Sequence, residues 1–134
     1  MKKACPTCGV ILSTKNELRQ NRCRPCHSLR RVRWLERNPW AEPLYSARAR
    51  CRDKSNSSYE KYGGRGIRSF LTVAEVKRIW ERDLAEKMIT PSLDRIDSDG
   101  NYTAINCRFI EQRENSRLGA IKRARLRAER AGAK

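Results

Sequence analysis

Two groups of residues in this chain have the types and spacing that chemistry requires. The first is a cysteine quartet, Cys5-Pro-Thr-Cys8 and Cys23-Arg-Pro-Cys26, with 14 residues between the pairs. Each C-x-x-C turn aims two sulfurs at one point. Two such turns at this separation are the ligand set of a tetrahedral structural zinc site. Gly9 supplies the permissive backbone that such a turn uses. The second group is Asp94 with Asn115. Residues 93–97 read as a short strand, 98–101 as a turn rich in turn-forming dipeptides, 106–110 as the returning strand, and 111 onward as helix. A strand carboxylate and a helix amide then meet as hard oxygen donors suited to Mg²⁺ or Mn²⁺. An ion held there keeps open positions for water and a phosphate, polarises the phosphate and stabilises the leaving oxygen. Asn106 is expected to pin the loop between the strands through side-chain to backbone hydrogen bonds.

The charge balance names the partner class. Lys and Arg number 31 against 15 Asp and Glu, for a formal net charge of +16 over 134 residues. Such a field favours polyanions. Candidate nucleic-acid contacts are Arg30, Arg31 and Arg33 after the second cysteine pair, Tyr62 and Arg65 in a Gly-rich stretch, Arg95, and Lys122 and Arg123 near the end. No apolar run approaches the roughly 18 residues of a membrane span. The start, Met-Lys-Lys followed by a Cys-rich segment, lacks the apolar core of a signal peptide. The expectation from charge is a soluble, intracellular protein that binds nucleic acid. His27 is the sole histidine, so schemes needing two are closed to this chain. It reads as a helix-start residue beside the metal, with ligation or a phosphate contact as the other roles open to it. Cys51 and Cys107 read as buried thiols rather than ligands.

Four strings occur in order: YGGRGI at 62–67, LDRID at 93–97, NCR at 106–108 and a helical Asn115. With Arg50-Cys51 and the run Asn56–Tyr59, they resemble the HNH, or His-Me finger, nuclease superfamily, and within it a phage-associated group. The resemblance covers residues 43–117. It implies a ββα-metal core and metal-dependent cleavage or nicking of DNA, duplex or branched, with Asp94 and Asn115 holding Mg²⁺ or Mn²⁺ and Asn106 as the middle asparagine. For a phage-encoded protein the compartment is the host cytoplasm. One metal site cuts one strand, so a double-strand break calls for a homodimer or two visits. The alternatives from other classes are a non-catalytic DNA-binding or architectural protein that keeps the fold, and a basic RNA-binding protein.

Arg95 stands where the superfamily keeps its general-base histidine. Arginine cannot accept a proton near neutral pH. Three readings stay open. Arg95 binds the phosphate and stabilises charge, while Tyr59, Tyr62, Asp97, Asp99 or a metal-bound hydroxide activates water. His27 is the base. Or the site is a scaffold that binds without cutting. A further option pairs Arg95 with Asp97 or Asp99.

The elements that must position these residues follow from local signals. The fold class expected is α+β, a ββα-metal core with added helices behind a treble-clef-like zinc finger. The divisions are 1–38 for the zinc module, 39–117 for the core and 118–134 for a basic helical tail that extends the last helix and frays near Gly132. A basic helix follows Cys26 and stops at Pro39. A second helix spans 40–52 with Leu44, Ala47 and Cys51 inward. Gly66–Phe70 reads as a strand after a turn. Thr72 and Glu75 form a capping box opening a helix that ends near Met88, with Val73, Val76, Ile79, Trp80 and Leu84 on its inner side.

Overall fold

The computed structural model describes residues 3–13, 17–18 and 22–133. Met1, Lys2 and the expected tail's Lys134 lie outside the described residues. The protein is a mixed α+β chain with two small antiparallel sheets. It divides into two compact units, Met1–Pro39 and Trp40–Lys134.

The first unit holds the cysteines. A tight turn carries Cys5 to Cys8: the Gly9 N–H donates to the Cys5 carbonyl and the Cys5 N–H to the Val10 carbonyl, both at 2.8 Å. Gly9 has φ +75°, the left-handed region where a side chain is strained. The strands β1 (Glu17–Leu18) and β2 (Arg22–Cys23) pair antiparallel. Helix α1 (Arg24–Arg37) starts directly on Cys23, with Pro25 in its first turn. It begins three residues before the expected start, so Cys26 is itself helical. Proline lacks the N–H that a first turn leaves unpaired, which makes the start favourable.

The second unit is built on α2 (Ala41–Arg52), α3 (Val73–Arg82), β3 (Pro91–Arg95), β4 (Cys107–Glu111) and α4 (Gln112–Gly132). Its core gathers Leu44, Leu71, Val76, Ile79, Leu93 and Phe109, with Trp80 edge-on to Phe109 at 5.0 Å between centroids. Thr72 and Glu75 form the reciprocal capping box. Helix α3 stops at Arg82, six residues short of the expected end. Asp83 ends it, because its carboxylate accepts from the Phe109 N–H at 2.8 Å and so belongs to the sheet. Leu84 then turns left-handed at φ 53° and is half exposed, not inward.

Gly66–Phe70 is not a strand. The 59–65 stretch forms two short 3-10 turns, and the segment after it meets residue 102 through one parallel bridge, Ser69 to Tyr102. Gly63 is needed where it stands: a Cβ would lie 2.3 Å from the Cys51 carbonyl oxygen. This close approach seats the turn on α2.

β3 and β4 pair antiparallel, with Leu93 opposite Phe109 and Asp94 opposite Arg108. Alternation along β3 sends Leu93 into the core, whereas Ser92 and Asp94 take the face toward α4. Helix α4 runs without a break from Gln112 across position 118 to Gly132, and none of its residues is fully buried. Glu111 fixes its start by accepting from the N–H groups of Ile89 and Thr90.

Candidate functional site

Cys5, Cys8, Cys23 and Cys26 come together with all four Sγ atoms within 4.8 Å of one another. Cys8 and Cys23 sulfurs are 3.6 Å apart. A tetrahedral zinc with Zn–S bonds of about 2.3 Å sets sulfur–sulfur edges of about 3.8 Å. The cluster can therefore hold a metal such as zinc. Its thiols are already electrostatically uneven. Backbone N–H groups of Cys23 and Thr7 bring Cys5 down to about 5, whereas the neighbouring sulfurs of Cys23 and Cys8 push Cys26 up to about 12. Among the described residues this is the sole group of three or more His, Cys, Asp or Glu side chains close enough to share an ion.

Asp94 and Asn115 line one cleft of about 470 Å³, together with Arg95, Arg108, Lys122 and Arg125. Asp94 is 15% exposed, and its Oδ2 accepts from Arg108 Nε at 2.9 Å. The Asn115 Nδ2 donates to Ser92 Oγ at 2.8 Å. This leaves the Asn115 side-chain Oδ1 without a hydrogen bond among the described residues. One oxygen of Asp94 and one of Asn115 are thus unclaimed in the same cleft. Oxygen donors of this type are the ones that could hold a divalent cation.

Asn106 holds the intervening loop on three sides. Its Nδ2 donates to the carbonyls of Asp97 and Asn101 at 3.0 and 2.9 Å, and its Oδ1 accepts from the Asp97 N–H at 2.8 Å. Asp97 in turn accepts from the Asp99 N–H, a side-chain turn within residues 97–99.

Arg95 does not pair with Asp97 or Asp99. Its Nη1 donates to the Gly100 carbonyl at 2.8 Å, and its guanidinium lies 5.0 Å from the Tyr62 centroid and 4.8 Å from that of Tyr102. Arg50 shares the same two tyrosines: its guanidinium lies 4.9 Å from the Tyr62 centroid and donates to the Tyr102 hydroxyl. The planar cation prefers these ring faces to an exposed carboxylate, because the rings cost it little desolvation. Tyr62 is therefore committed to cations, and burial raises Tyr102 above its usual range.

Arg65 is also engaged. Its Nη2 meets Asp99 Oδ1 at 2.5 Å, and Lys122 approaches the same oxygen at 3.1 Å while bonding Ser98 Oγ. The hydrogen bond from Arg65, then that from Lys122, holds the Asp99 carboxyl below its usual range. Asp99 is thus a poor proton acceptor near neutral pH. Tyr59 packs its ring against Gly63. In the first unit, Arg30, Arg31 and Arg33 are exposed on α1, and in the second Arg123 is exposed on α4. Cys107 is fully buried, and burial pushes its thiol up to about 11; Cys51 is half-buried and also raised.

Residue reasoning missed Arg108 as the partner of Asp94. A hairpin pairing 93–97 with 106–110 end to end puts residue 94 opposite 109, one position away from the observed register of Asp94 with Arg108. Ser92, which orients the Asn115 amide, carried no signal of that role.

Comparison with protein-family models, with curated proteins and with solved structures gives no match. The reading of the site rests on its own geometry.

Proposed function

We propose that the second unit is a metal-dependent DNA endonuclease that nicks or cleaves phosphodiester bonds. The observation that carries this reading is the meeting of Asp94 and Asn115 in one cleft rimmed by Arg108, Lys122 and Arg125. Asp94 and Asn115 would hold Mg²⁺ or Mn²⁺, which supplies Lewis-acid polarisation of a phosphate and stabilises a leaving oxygen. The chain's own residues do the rest. Lys122 and Arg125 hold the strand by its phosphates. Asn106 fixes the loop so that the Asp94 carboxylate keeps its aim. Arg95, clamped by Gly100 and two tyrosines, stabilises negative charge as a fixed cation and takes no proton. The phage-type HNH resemblance of YGGRGI, LDRID and NCR supports the same reading, and zinc in the first unit completes it as a structural ion.

A DNA-binding scaffold without cleavage is the rival. The Asp94–Arg108 ion pair favours it, since that carboxylate already has a cation. The test is supercoiled-plasmid nicking by the zinc-loaded protein with Mg²⁺, Mn²⁺ or neither. Nicking that needs the added ion and fails in Asp94→Asn supports the nuclease. Binding of the plasmid with no nicking in any condition rejects it.

A further inference from the structure

A second cleft in the Trp40–Lys134 unit, of about 320 Å³, is lined by Cys51, Arg52, Arg68, Ser69 and Phe70. Among the described residues no carboxylate lines it. Among the described residues neither the Arg52 nor the Arg68 guanidinium has a hydrogen bond or ion pair, in contrast to Arg65, Arg95 and Arg108, which are all engaged. Phe70 is 60% exposed, although its backbone N–H is fixed by the Tyr102 carbonyl at 2.9 Å. The Ser69 Oγ is screened from solvent and unpartnered. The backbone beneath is rigidly tied: Arg68 N–H donates to Asn101 Oδ1, and Tyr102 N–H to the Arg68 carbonyl, both at 2.9 Å.

Each part selects for a different feature of the ligand. Two unpaired guanidinia without a facing carboxylate call for an anion. An exposed aromatic ring beside them calls for a flat ring to stack on it. The volume lies at the small end of ligand clefts, which run roughly 300–1,000 Å³, enough for a single nucleotide. Bases in a duplex stack on each other and offer the protein only edges and backbone, so an aromatic face is useful where a base is unpaired. We propose that this cleft binds one unpaired nucleotide of the DNA, its base stacked on Phe70 and its flanking phosphates on Arg52 and Arg68. The site deepens the endonuclease reading by naming its substrate class: DNA with a single-stranded flank or branch.

The test is binding of a fluorescently labelled duplex with a single-stranded overhang, against its blunt counterpart, by the zinc-loaded full chain without added Mg²⁺ or Mn²⁺. Phe70→Ala is expected to weaken overhang binding about five- to hundredfold and to leave blunt-duplex binding unchanged. Phe70→Trp should retain wild-type preference for the overhang. Arg52→Ala and Arg68→Ala should each weaken overhang binding and lower its salt slope by about one. Phe70→Ala that binds the overhang as well as wild type, or that loses both substrates equally, overturns the proposal. The assay involves no strand cleavage, so a negative plasmid-nicking result rejects the nuclease reading and leaves this site standing, and failure at Phe70 does the reverse.

Discussion

Arg108 Nε donates to Asp94 Oδ2 at 2.9 Å across the β3–β4 pair, so the carboxylate proposed to bind a metal is held by a guanidinium directly opposite it. The pair leaves the other Asp94 oxygen without a hydrogen bond among the described residues. It also fixes the rotamer, which is what an outer partner of a metal ligand does. Arg108→Ala is expected to lower the nicking rate about 10–100-fold with DNA binding reduced far less. Single-turnover cleavage at saturating DNA reads the effect. Unchanged cleavage would show that Asp94 needs no orienting partner.

Arg95 bridges three parts of the second unit: the Gly100 turn, Tyr62 and Tyr102. Its removal strands the Gly100 carbonyl and uncovers two ring faces. Arg95→Ala is expected to destabilise the unit by about 1–3 kcal/mol. Arg95→Lys should lose a smaller part, since it keeps the charge but not the planar fork. Arg95→His should bring no gain in cleavage, because the position is a clamp and not a free base. Urea unfolding, followed by tryptophan fluorescence, and plasmid nicking check both.

Asp83 joins α3 to β4 by accepting from Phe109 N–H and from Arg82. Burial pushes its carboxyl up, but the hydrogen bonds from Arg82 and Phe109, with nearby positive charge, more than offset this and leave it below the usual range. A depressed folded value means stability that is present above the unfolded value of about 3.9 and lost as pH falls through the folded one. Asp83→Ala should cost about 1–3 kcal/mol at pH 7. The gap between the two proteins should narrow below about pH 4. Urea midpoints across pH measure it, and a gap independent of pH would contradict the assignment.

The cysteine cluster binds its ion only as thiolates, yet Cys26 is pushed up to about 12 and is protonated at neutral pH. Zinc loading must therefore release protons and weaken as pH falls. One zinc per chain is expected by elemental analysis, lost in Cys8→Ser. Chelation should abolish amide protection in Met1–Pro39, whose small core is made of Cys5, Leu12 and Cys23. The Trp40–Lys134 unit has its own core and should keep its protection.

Local signals were legible because their physics is local. The Thr72–Glu75 box, the α2 face and the two C-x-x-C turns depend on neighbours a few residues away. The 93–97 and 106–110 strands were legible from turn dipeptides between them, each displaced by one or two residues. The end of α3 was not, since Asp83 answers to Phe109, 26 residues on. The Arg95 clamp was not, since Tyr62 and Tyr102 reach it through tertiary packing. Gly66–Phe70 looked like a strand from composition, but Gly63 and the turns of 59–65 place it where only one bridge to Tyr102 forms.

The central claim is that Asp94 and Asn115 together make this protein cut DNA. The most direct measurement compares single-turnover plasmid nicking in Mg²⁺ by wild type, Asp94→Ala and Asn115→Ala, with plasmid binding measured alongside. The account predicts ion-dependent nicking by wild type and its loss in both variants, while both still bind DNA. Nicking that survives in either variant, or a wild type that binds and never nicks, would contradict it.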